Sequence, residues 1–176
     1  MNLHDHKGQN MSSTPTSHSF EIRDLTPEDK HWAQRVLQQY WASTEQVTRG
    51  HKFQADELPG IVAVRDGAEV GLLTYNIIGD ECEIVTHNSM AGHGGIGSCL
   101  LTGVRNKARE EGCKRLWLVT TNDNTPAMRF YQRRDFDIVA IHREAVKEAR
   151  KLKPTIPDVG LDGIPIRHEI EMEYML

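Results

Sequence analysis

The sequence predicts an α/β or α+β protein with a three-layer arrangement. Short alternating or β-branched runs, typical of strands, are interspersed with runs whose apolar residues recur at helical spacing. Mixed elements in this order suit three layers of packed secondary structure. One stretch, Glu81 to Leu101, passes from a strand through a glycine-rich bend into a helix, and the other elements are arranged around it.

The chain has 176 residues, 38% of them hydrophobic, which is enough for one domain with a genuine core. Residues 1–17 are polar and lack periodicity, so we predict a disordered tail, with Met11 as a possible natural start. The domain is expected to occupy residues 18–176. His4 and His6 in the tail are more often incidental than a metal site, and no metal is expected.

Before the glycine bend, the pattern indicates a strand, a helix, an unpatterned segment and a hairpin. Thr26 can cap the helix, Pro27 suits its first position, and Asp66-Gly67 supplies the hairpin turn. The predicted bounds are a strand at 19–25, a helix from 26, a loop or short helix at 43–58, and strands at 60–64 and 70–77.

After the bend, helices and strands alternate again. Gly112 is a fitting helix C-cap, and three prolines with two glycines make residues 153–165 an irregular connector. The predicted bounds are helices at 98–111, 125 to about 134, and 144–153, and strands at 116–121, 136–141 and 167–174.

The glycine bend predicts a site for a phosphorylated ligand. Gly92, Gly94, Gly95 and Gly97 lie between a strand and a helix N-terminus, where bare amide groups and the helix dipole attract anions. No lysine follows the glycines as a P-loop requires. The spacing of the glycines satisfies G-x-G-x-x-G, the pattern of dinucleotide-binding folds. Such folds also place an acidic residue after the next strand to hold the ribose, whereas the next strand here leads into Asn122.

A third ligand class, an acyl-coenzyme A, is favoured by the segment from Thr120 to Phe136. It contains Asn124, Ala127 and Tyr131 in the pattern N-x-x-A-x-x-x-Y. Together with the glycine bend, this segment resembles the GCN5-related N-acetyltransferase (GNAT) superfamily, whose first motif reads Q/R-x-x-G-x-G/A. The resemblance covers most of the chain from about residue 21.

Two positions depart from the family pattern. Gly92 stands where Gln or Arg opens the first motif, so one side-chain contact to the pyrophosphate is missing. Asp135 replaces the usual glycine before the final aromatic residue of the second motif. Aspartate accepts left-handed backbone better than most residues, so this turn is expected to form.

The resemblance implies a mixed, mostly antiparallel sheet of about six to seven strands with helices on both faces. The central strand is expected to splay at a bulge near residues 86–89, which leaves room for the pantetheine arm of acetyl-coenzyme A. The residues expected to bind acetyl-coenzyme A are Val85, His87, Gly92, His93, Gly94, Gly95, Ile96, Gly97, Ser98, Asn124, Ala127 and Tyr131.

The activity implied is transfer of an acetyl group to an amine by direct attack in a ternary complex. In the family, the tyrosine that matches Tyr131 protonates the departing thiolate. An amine needs a base near neutral pH, and Glu83 is the first candidate, followed by Glu81 and His87. Simple alternation places these three with Val85 on one face of the strand. Either acid could instead be a solvated residue.

Tyr40 and Trp41 end the first predicted helix and have two interpretations. Their spacing is typical of core packing, which we favour, whereas in the family this helix end walls the acceptor pocket. Five cations could surround the phosphates of the ligand, although each alone is typical of a charged surface. They are Arg105, Lys107, Arg129, Arg133 and Arg134.

Composition also argues against two classes of function, nucleic-acid binding and membrane insertion. The net charge of −4 provides no basic field for nucleic acid, and no apolar run approaches the length of a membrane span. Cys82, Cys99 and Cys113 form no C-x-x-C pair and are expected to be reduced in a cytoplasmic protein. A homodimer is one expected form of the protein. The alternative functions are a catalytically silent acyl-coenzyme A sensor and, less favoured, a dinucleotide-binding protein.

Overall fold

A computed structural model describes residues 20–90 and 94–176 of the chain. The polar tail and two of the predicted ligand residues, Gly92 and His93, lie outside these ranges. The described elements are β1 Glu21–Asp24, α1 Lys30–Trp41, β2 Glu45–Thr48, β3 His51–Gln54, β4 Gly60–Arg65, β5 Ala68–Ile78, β6 Glu81–Ser89, α2 Ile96–Glu110, β7 Arg115–Thr121, α3 Thr125–Gln132, β8 Asp137–His142, α4 Ala145–Leu152 and β9 Glu169–Met175.

Seven of the described strands form one sheet in the order β1-β4-β5-β6-β7-β9-β8. Every neighbouring pair is antiparallel except β6 and β7, which are parallel and connected through α2. This confirms the expected mixed, mostly antiparallel sheet. A right-handed crossover through a helix is the usual way to join parallel neighbours, so α2 must lie on one face of the sheet.

The central strand β6 carries a bulge at Val85. Thr86 pairs with Thr74 and Ile84 pairs with Tyr75, so Val85 has no partner on β5. Pairing between β6 and β7 ends at the same level, at Ile84 opposite Leu118. Beyond this point the two strands diverge and leave a gap. The splayed central strand is therefore confirmed, and its bulge lies one residue before the expected range.

The bulge also decides which side chains share a face, and it corrects the simple alternation. β5 is regular from Leu72 to Ile78, and residues paired directly across strands lie on the same face. Glu83 pairs with Asn76, on the face of Leu72, whereas His87 pairs with Leu73, on the opposite face. The expectation that Glu83 and His87 share one face was wrong, because the extra residue at Val85 inverts the alternation.

The two faces of the sheet are covered by different helices. Leu73, Leu100, Leu101 and Val104 belong to the larger core between the sheet and α2, which also holds Tyr131 and Phe136. A smaller core joins Leu72 to α1. Burying one leucine side chain contributes about 1.5–3 kcal/mol, so these rows of fully buried residues fix both helices on the sheet.

Several local predictions are confirmed by backbone angles. Asp66 and Gly67 both have positive φ, at 53° and 76°, as a two-residue hairpin turn requires. Gly112 has φ 76°, and the Cys113 N–H donates to the Ala108 carbonyl over 2.9 Å, which closes α2. Asp135 takes φ 64° and so occupies the left-handed position that the family gives to glycine.

The segment 43–58 differs from its prediction. It was expected to form a loop or a short helix, but it forms the β2–β3 hairpin, separate from the main sheet. Arg49 and Gly50 turn the hairpin with φ 50° and 77°. Its polar composition concealed the strands, because the hairpin rests on the sheet through hydrogen bonds rather than through a fully apolar face.

Helix α1 begins after one turn of 3₁₀ helix, Pro27–Asp29. The Asp29 carboxylate accepts the Thr26 N–H over 2.9 Å and also pairs with Arg23 over 2.6 Å. Arg23 therefore holds the pKa of Asp29 at about 2, and the start of α1 is tied to β1. In the part of the chain that the structure describes, no helix has the length and apolarity needed to cross a membrane.

Candidate functional site

A cavity of about 300 Å³ occupies the gap between β6 and β7. Trp41 of α1 and Tyr131 of α3 both line it, although these helices lie on opposite faces of the sheet. The cavity therefore passes through the sheet where the strands separate. Its lining consists of Trp41, Ile84, Val85, Thr86, His87, Ser89, Gly97, Leu118, Val119, Thr120, Asn124, Pro126, Ala127, Phe130 and Tyr131.

The N-terminus of α2 opens beside this cavity. Gly95, with φ 79°, is the N-cap, and among the described residues no side chain caps the helix. The first turn carries no acidic residue, so its amide groups remain available to an anion. A Cβ at Gly97 would lie 3.3 Å from the Phe130 ring, which is closer than an ordinary van der Waals contact, so a side chain there would push against that ring.

Arg134 adds positive charge to the same helix end. Its guanidinium donates to the Ser98 hydroxyl over 2.6 Å and stacks on the Phe130 ring at 3.7 Å. Two of the other predicted cations are placed differently. Lys107 pairs with Asp24 over 3.1 Å, and at 1.5 Å per residue it lies about 16 Å along α2 from the first turn. Arg105 stacks between Phe136 and Tyr174.

The second motif forms the predicted helix face along the cavity. Asn124 is the N-cap of α3, and its side-chain oxygen accepts the Ala127 N–H over 3.2 Å. Ala127 and Tyr131 follow at one-turn spacing, and all three residues line the cavity. The small Ala127 keeps the space open while Tyr131 brings a hydroxyl to its end.

Tyr131 is hydrogen-bonded to His87 inside the cavity. The hydroxyl oxygen lies 2.8 Å from His87 Nδ1, and His87 Nε2 lies 3.1 Å from the carbonyl oxygen of Gly97. Tyr131 is 5% exposed, and His87 is partly buried. Burial lowers the pKa of His87 to about 4 and raises the pKa of Tyr131 well above its ordinary value. Both groups are therefore neutral at pH 7.

Glu83 lies on the other face of the sheet, under the β2–β3 hairpin. It is 6% exposed, and the Thr48 hydroxyl donates to its Oε1 over 2.6 Å. Burial is the main cause that raises the pKa of Glu83 to about 6, and the nearby carboxylates of Glu169 and Glu171 raise it further. A carboxyl group with this pKa is suited to proton exchange near neutral pH.

The carboxylates around Glu83 are only partly neutralised. Arg115 pairs with Glu81, Glu171 and Glu173 at 2.6–3.0 Å. Arg49 also pairs with Glu171. Among the described residues, Glu83 has no cationic side chain within salt-bridge distance. A second cavity of about 290 Å³ reaches Glu81, Glu83 and Trp117 from this face.

Glu169, Glu171 and Thr48 were missed as site residues by sequence reasoning. The signal for the first two was present, since the acids alternate along EIEMEYM at 169–175 and must share one face of β9. Thr48 could not be found in the same way, because its hairpin was not predicted. It reaches the site only through tertiary packing.

The two aromatic residues at the end of α1 separate into different environments. Trp41 lines the cavity, and its indole N–H donates to the Asn88 side-chain oxygen over 2.7 Å. Tyr40 is 46% exposed and is not among the cavity-lining residues. The favoured interpretation of both as core residues was wrong, because α1 buries Ala33, Val36 and Leu37 instead.

A family model and two curated relatives match most of this chain. A family model described as "Acetyltransferase (GNAT) family" matches residues 20–136. The uncharacterized protein YdhI of Bacillus subtilis (strain 168) is 42% identical over 142 residues, which cover 80% of this chain and 89% of YdhI. The uncharacterized protein YxbD of the same organism is 39% identical over 135 residues, with 76% and 85% covered.

Solved structures extend the likeness to the whole fold. A GNAT family acetyltransferase from Elizabethkingia anophelis, crystallised with acetyl-CoA, has a TM-score of 0.64 and 20% identity, with 89% of this chain and 98% of that chain covered. Naa50 of Arabidopsis thaliana, in complex with a bisubstrate analogue, has a TM-score of 0.63 and 15% identity, with 90% and 99% covered. With its splayed sheet, its two motifs and the family match over residues 20–136, the chain belongs to the acetyltransferase (GNAT) family.

Proposed function

We propose that the protein is an acetyl-coenzyme A-dependent N-acetyltransferase that acts on an amine. The observation that carries this proposal is the cavity between the splayed strands. It has the uncapped N-terminus of α2 at one end and the Tyr131 hydroxyl inside it. The acceptor is an amine of a small molecule, an amino acid or a protein, and it is attacked directly in a ternary complex.

The residues at the α2 N-terminus fit the diphosphate of the cofactor. Gly94, Gly95, Ile96, Gly97 and Ser98 offer backbone amides, and Arg134 supplies charge beside them. The missing Cβ of Gly97 allows close approach to the helix. Gly92 and His93 are proposed for the same role. The E. anophelis enzyme with acetyl-CoA bound supports this choice of ligand.

The gap between the strands fits the pantetheine arm. Backbone groups of Val85 and His87 face the gap because β6 no longer pairs with β7 there. Asn124 and Ala127 form the opposite wall, on α3. Val85 has no partner on β5, so its amide is a candidate donor to the thioester carbonyl oxygen.

Acid and base act from opposite sides of the gap. When bound, acetyl-coenzyme A would supply the acetyl group as a thioester. Glu83 takes a proton from the incoming ammonium, directly or through water, on the α1 face. An alkylamine of pKa about 10.4 needs about 4.6 kcal/mol to become neutral at pH 7. Tyr131 donates its proton to the departing thiolate on the α2 face.

The acceptor is proposed to enter from the α1 face. Trp41 borders the gap there, and Tyr40 is exposed on the same helix end. Glu83 and Glu169 are buried carboxylates, and burial raises the pKa of each. An ammonium group on the acceptor would compensate for the charge of these carboxylates, which supports a cationic amine over a neutral one.

Release of coenzyme A thiol, measured with acetyl-coenzyme A and a panel of amines, tests the proposal. Tyr131→Phe is expected to lower turnover by 10²-fold or so while it leaves cofactor affinity nearly unchanged. Glu148→Gln is the matched surface control, because Glu148 is exposed and its salt-bridge partner in the part of the chain that the structure describes is Lys151 on α4. Tight binding of acetyl-coenzyme A without thiol release for any amine would instead support the silent acyl-coenzyme A sensor.

Two further expectations remain proposals. We infer a cytoplasmic location, to be tested by fractionation of cells that produce the full chain. A homodimer is also proposed, and light scattering of the purified protein at several concentrations would test it. A mass of one 20.0 kDa chain at every concentration would contradict the dimer.

A further inference from the structure

The imidazole of His87 lies between the cavity hydroxyl and the first turn of α2. We propose that His87 is a positioning residue that fixes the direction of the Tyr131 hydroxyl and keeps Tyr131 protonated between turnovers. It does so through a single tautomer that the Gly97 carbonyl selects. The inference rests on the proposed acetyltransferase function, in which Tyr131 is the acid.

The tautomer follows from the two contacts of the ring. The Gly97 carbonyl oxygen can only accept a hydrogen bond, so His87 Nε2, 3.1 Å away, must carry the proton. A neutral imidazole then has a bare lone pair at Nδ1. The Tyr131 hydroxyl, 2.8 Å from Nδ1, is therefore the donor in that contact. No other assignment gives both contacts a donor and an acceptor while the ring is neutral.

Packing holds the ring in this position. Phe130 meets His87 edge-on, with ring centroids 5.5 Å apart and an interplanar angle of 75°. A Cβ at Gly97 would lie 3.5 Å from His87 Nε2, an ordinary van der Waals distance, so the first turn of α2 packs directly beside the imidazole. On the neighbouring strand β5, His87 pairs with the buried Leu73. The ring cannot turn over without disturbing these neighbours.

The electrostatic surroundings agree with a neutral ring. Among the described residues, the charged or titratable groups that affect His87 and Tyr131 are each other and Arg134, next to the end of α3. Burial lowers the pKa of His87, the hydrogen bond to the Gly97 carbonyl partly opposes this, and Arg134 lowers the pKa further. No carboxylate of the described chain faces the ring to favour the imidazolium form.

This arrangement assigns different proton roles to the two residues. Tyr131 transfers its proton to the thiolate, which leaves as a thiol, and Tyr131 becomes a phenolate. His87 cannot replace that proton, because Nδ1 carries none and the Nε2 proton points to Gly97. Water reprotonates the phenolate after the thiol leaves, and the second proton that the nitrogen loses as the amide forms neutralises the hydroxide so produced. The Nδ1 lone pair then holds the new hydroxyl proton in place. His87 is thus not a base for the amine.

A double-mutant cycle tests whether His87 acts through Tyr131. His87→Leu removes the acceptor and is expected to lower kcat about tenfold, which is the loss of one buried hydrogen bond, with KM for acetyl-coenzyme A within about twofold. His87→Asn places an amide oxygen near Tyr131 and is expected to recover most of kcat. In a Tyr131→Phe background, His87→Leu is expected to have no further effect.

Multiplicative losses in the double variant would overturn the proposal, as would a rise in KM with kcat unchanged. Thermal unfolding of each variant identifies any that fail to fold, and His87→Asn keeps the cycle usable if His87→Leu is one of them. Both variants are compared with wild type at the same acceptor concentration.

Imidazole ¹⁵N NMR of the unmodified protein provides a readout that needs no turnover. The expected signature is a neutral ring with the proton on Nε2 from pH 5.5 to pH 8. A proton on Nδ1, or titration near the ordinary histidine pKa of about 6.5, would overturn the proposal. If the chain lacked acetyltransferase activity but kept this signature, the proposed function would fail while the hydrogen-bond assignment stood.

Discussion

Replacing Glu83 by glutamine is expected to make the protein more stable and less active at the same time. The folded protein holds the pKa of Glu83 at about 6, against an ordinary value of 4.5, mainly because the side chain is buried. A raised carboxyl pKa means that the ionised form is disfavoured in the folded state. The fold therefore loses stability as the pH rises through 4.5 and 6.

The size of this loss follows from the pKa difference. It grows from about 0.8 kcal/mol at pH 5 to about 2 kcal/mol at pH 8, since each pKa unit corresponds to about 1.4 kcal/mol. Glu83→Gln stays neutral at every pH, and its amide oxygen can still accept the hydrogen bond from Thr48. Its free energy of unfolding should exceed that of wild type by these amounts.

Urea unfolding at pH 5, 6.5 and 8 measures the stability difference, and thiol release at the same pH values measures activity. The Glu148→Gln control is expected to change stability by less than about 0.5 kcal/mol, without pH dependence, because its salt bridge is exposed. A Glu83→Gln variant that is less stable than wild type at pH 8, or that retains full turnover, would refute this reasoning.

Three further predictions concern single residues. Thr48→Val removes a hydrogen bond that stabilises the Glu83 carboxylate and so raises the pKa of Glu83. The acidic side of the pH profile of kcat/KM should therefore move to higher pH by about one unit. An unchanged profile would show that Glu83 is not the catalytic base. Gly97→Ala should weaken coenzyme A binding by about tenfold in calorimetric titration, since its Cβ crowds Phe130, whereas Thr102→Ala on the exposed side of α2 should not. Asp135→Val should destabilise the fold by about 1–2 kcal/mol in urea because Asp135 has φ 64°, and an equally stable valine variant would contradict that cause.

The elements of the main sheet could be predicted from sequence because their signals are local. Asp66-Gly67 and Gly112 specify positive φ at particular positions, and the apolar spacing of Leu100, Leu101 and Val104 specifies one helix face. The β2–β3 hairpin could not be predicted in this way. Its strands are polar, and it is held by contacts such as Thr48 to Glu83, 35 residues apart in sequence.

The candidate site shows the same division. The spacing of Asn124, Ala127 and Tyr131 on one helix face was sufficient to place all three at a single cavity. Glu83 was identified as a candidate base, but its raised pKa depends on Glu169 and Glu171 from the last strand. Their proximity is a consequence of strand order, which no local pattern specifies.

By itself the sequence determined the glycine bend, the motif that carries Tyr131 and the layered fold, because each depends on residues close together in the chain. Only the tertiary structure decided that His87 contacts Tyr131 while Glu83 faces the opposite side. The physical reason is the bulge at Val85, one unpaired residue that reverses the alternation of every side chain after it. Such a bulge arises from the pairing of β6 with β5 on one side and β7 on the other, and thus from interactions between distant parts of the chain.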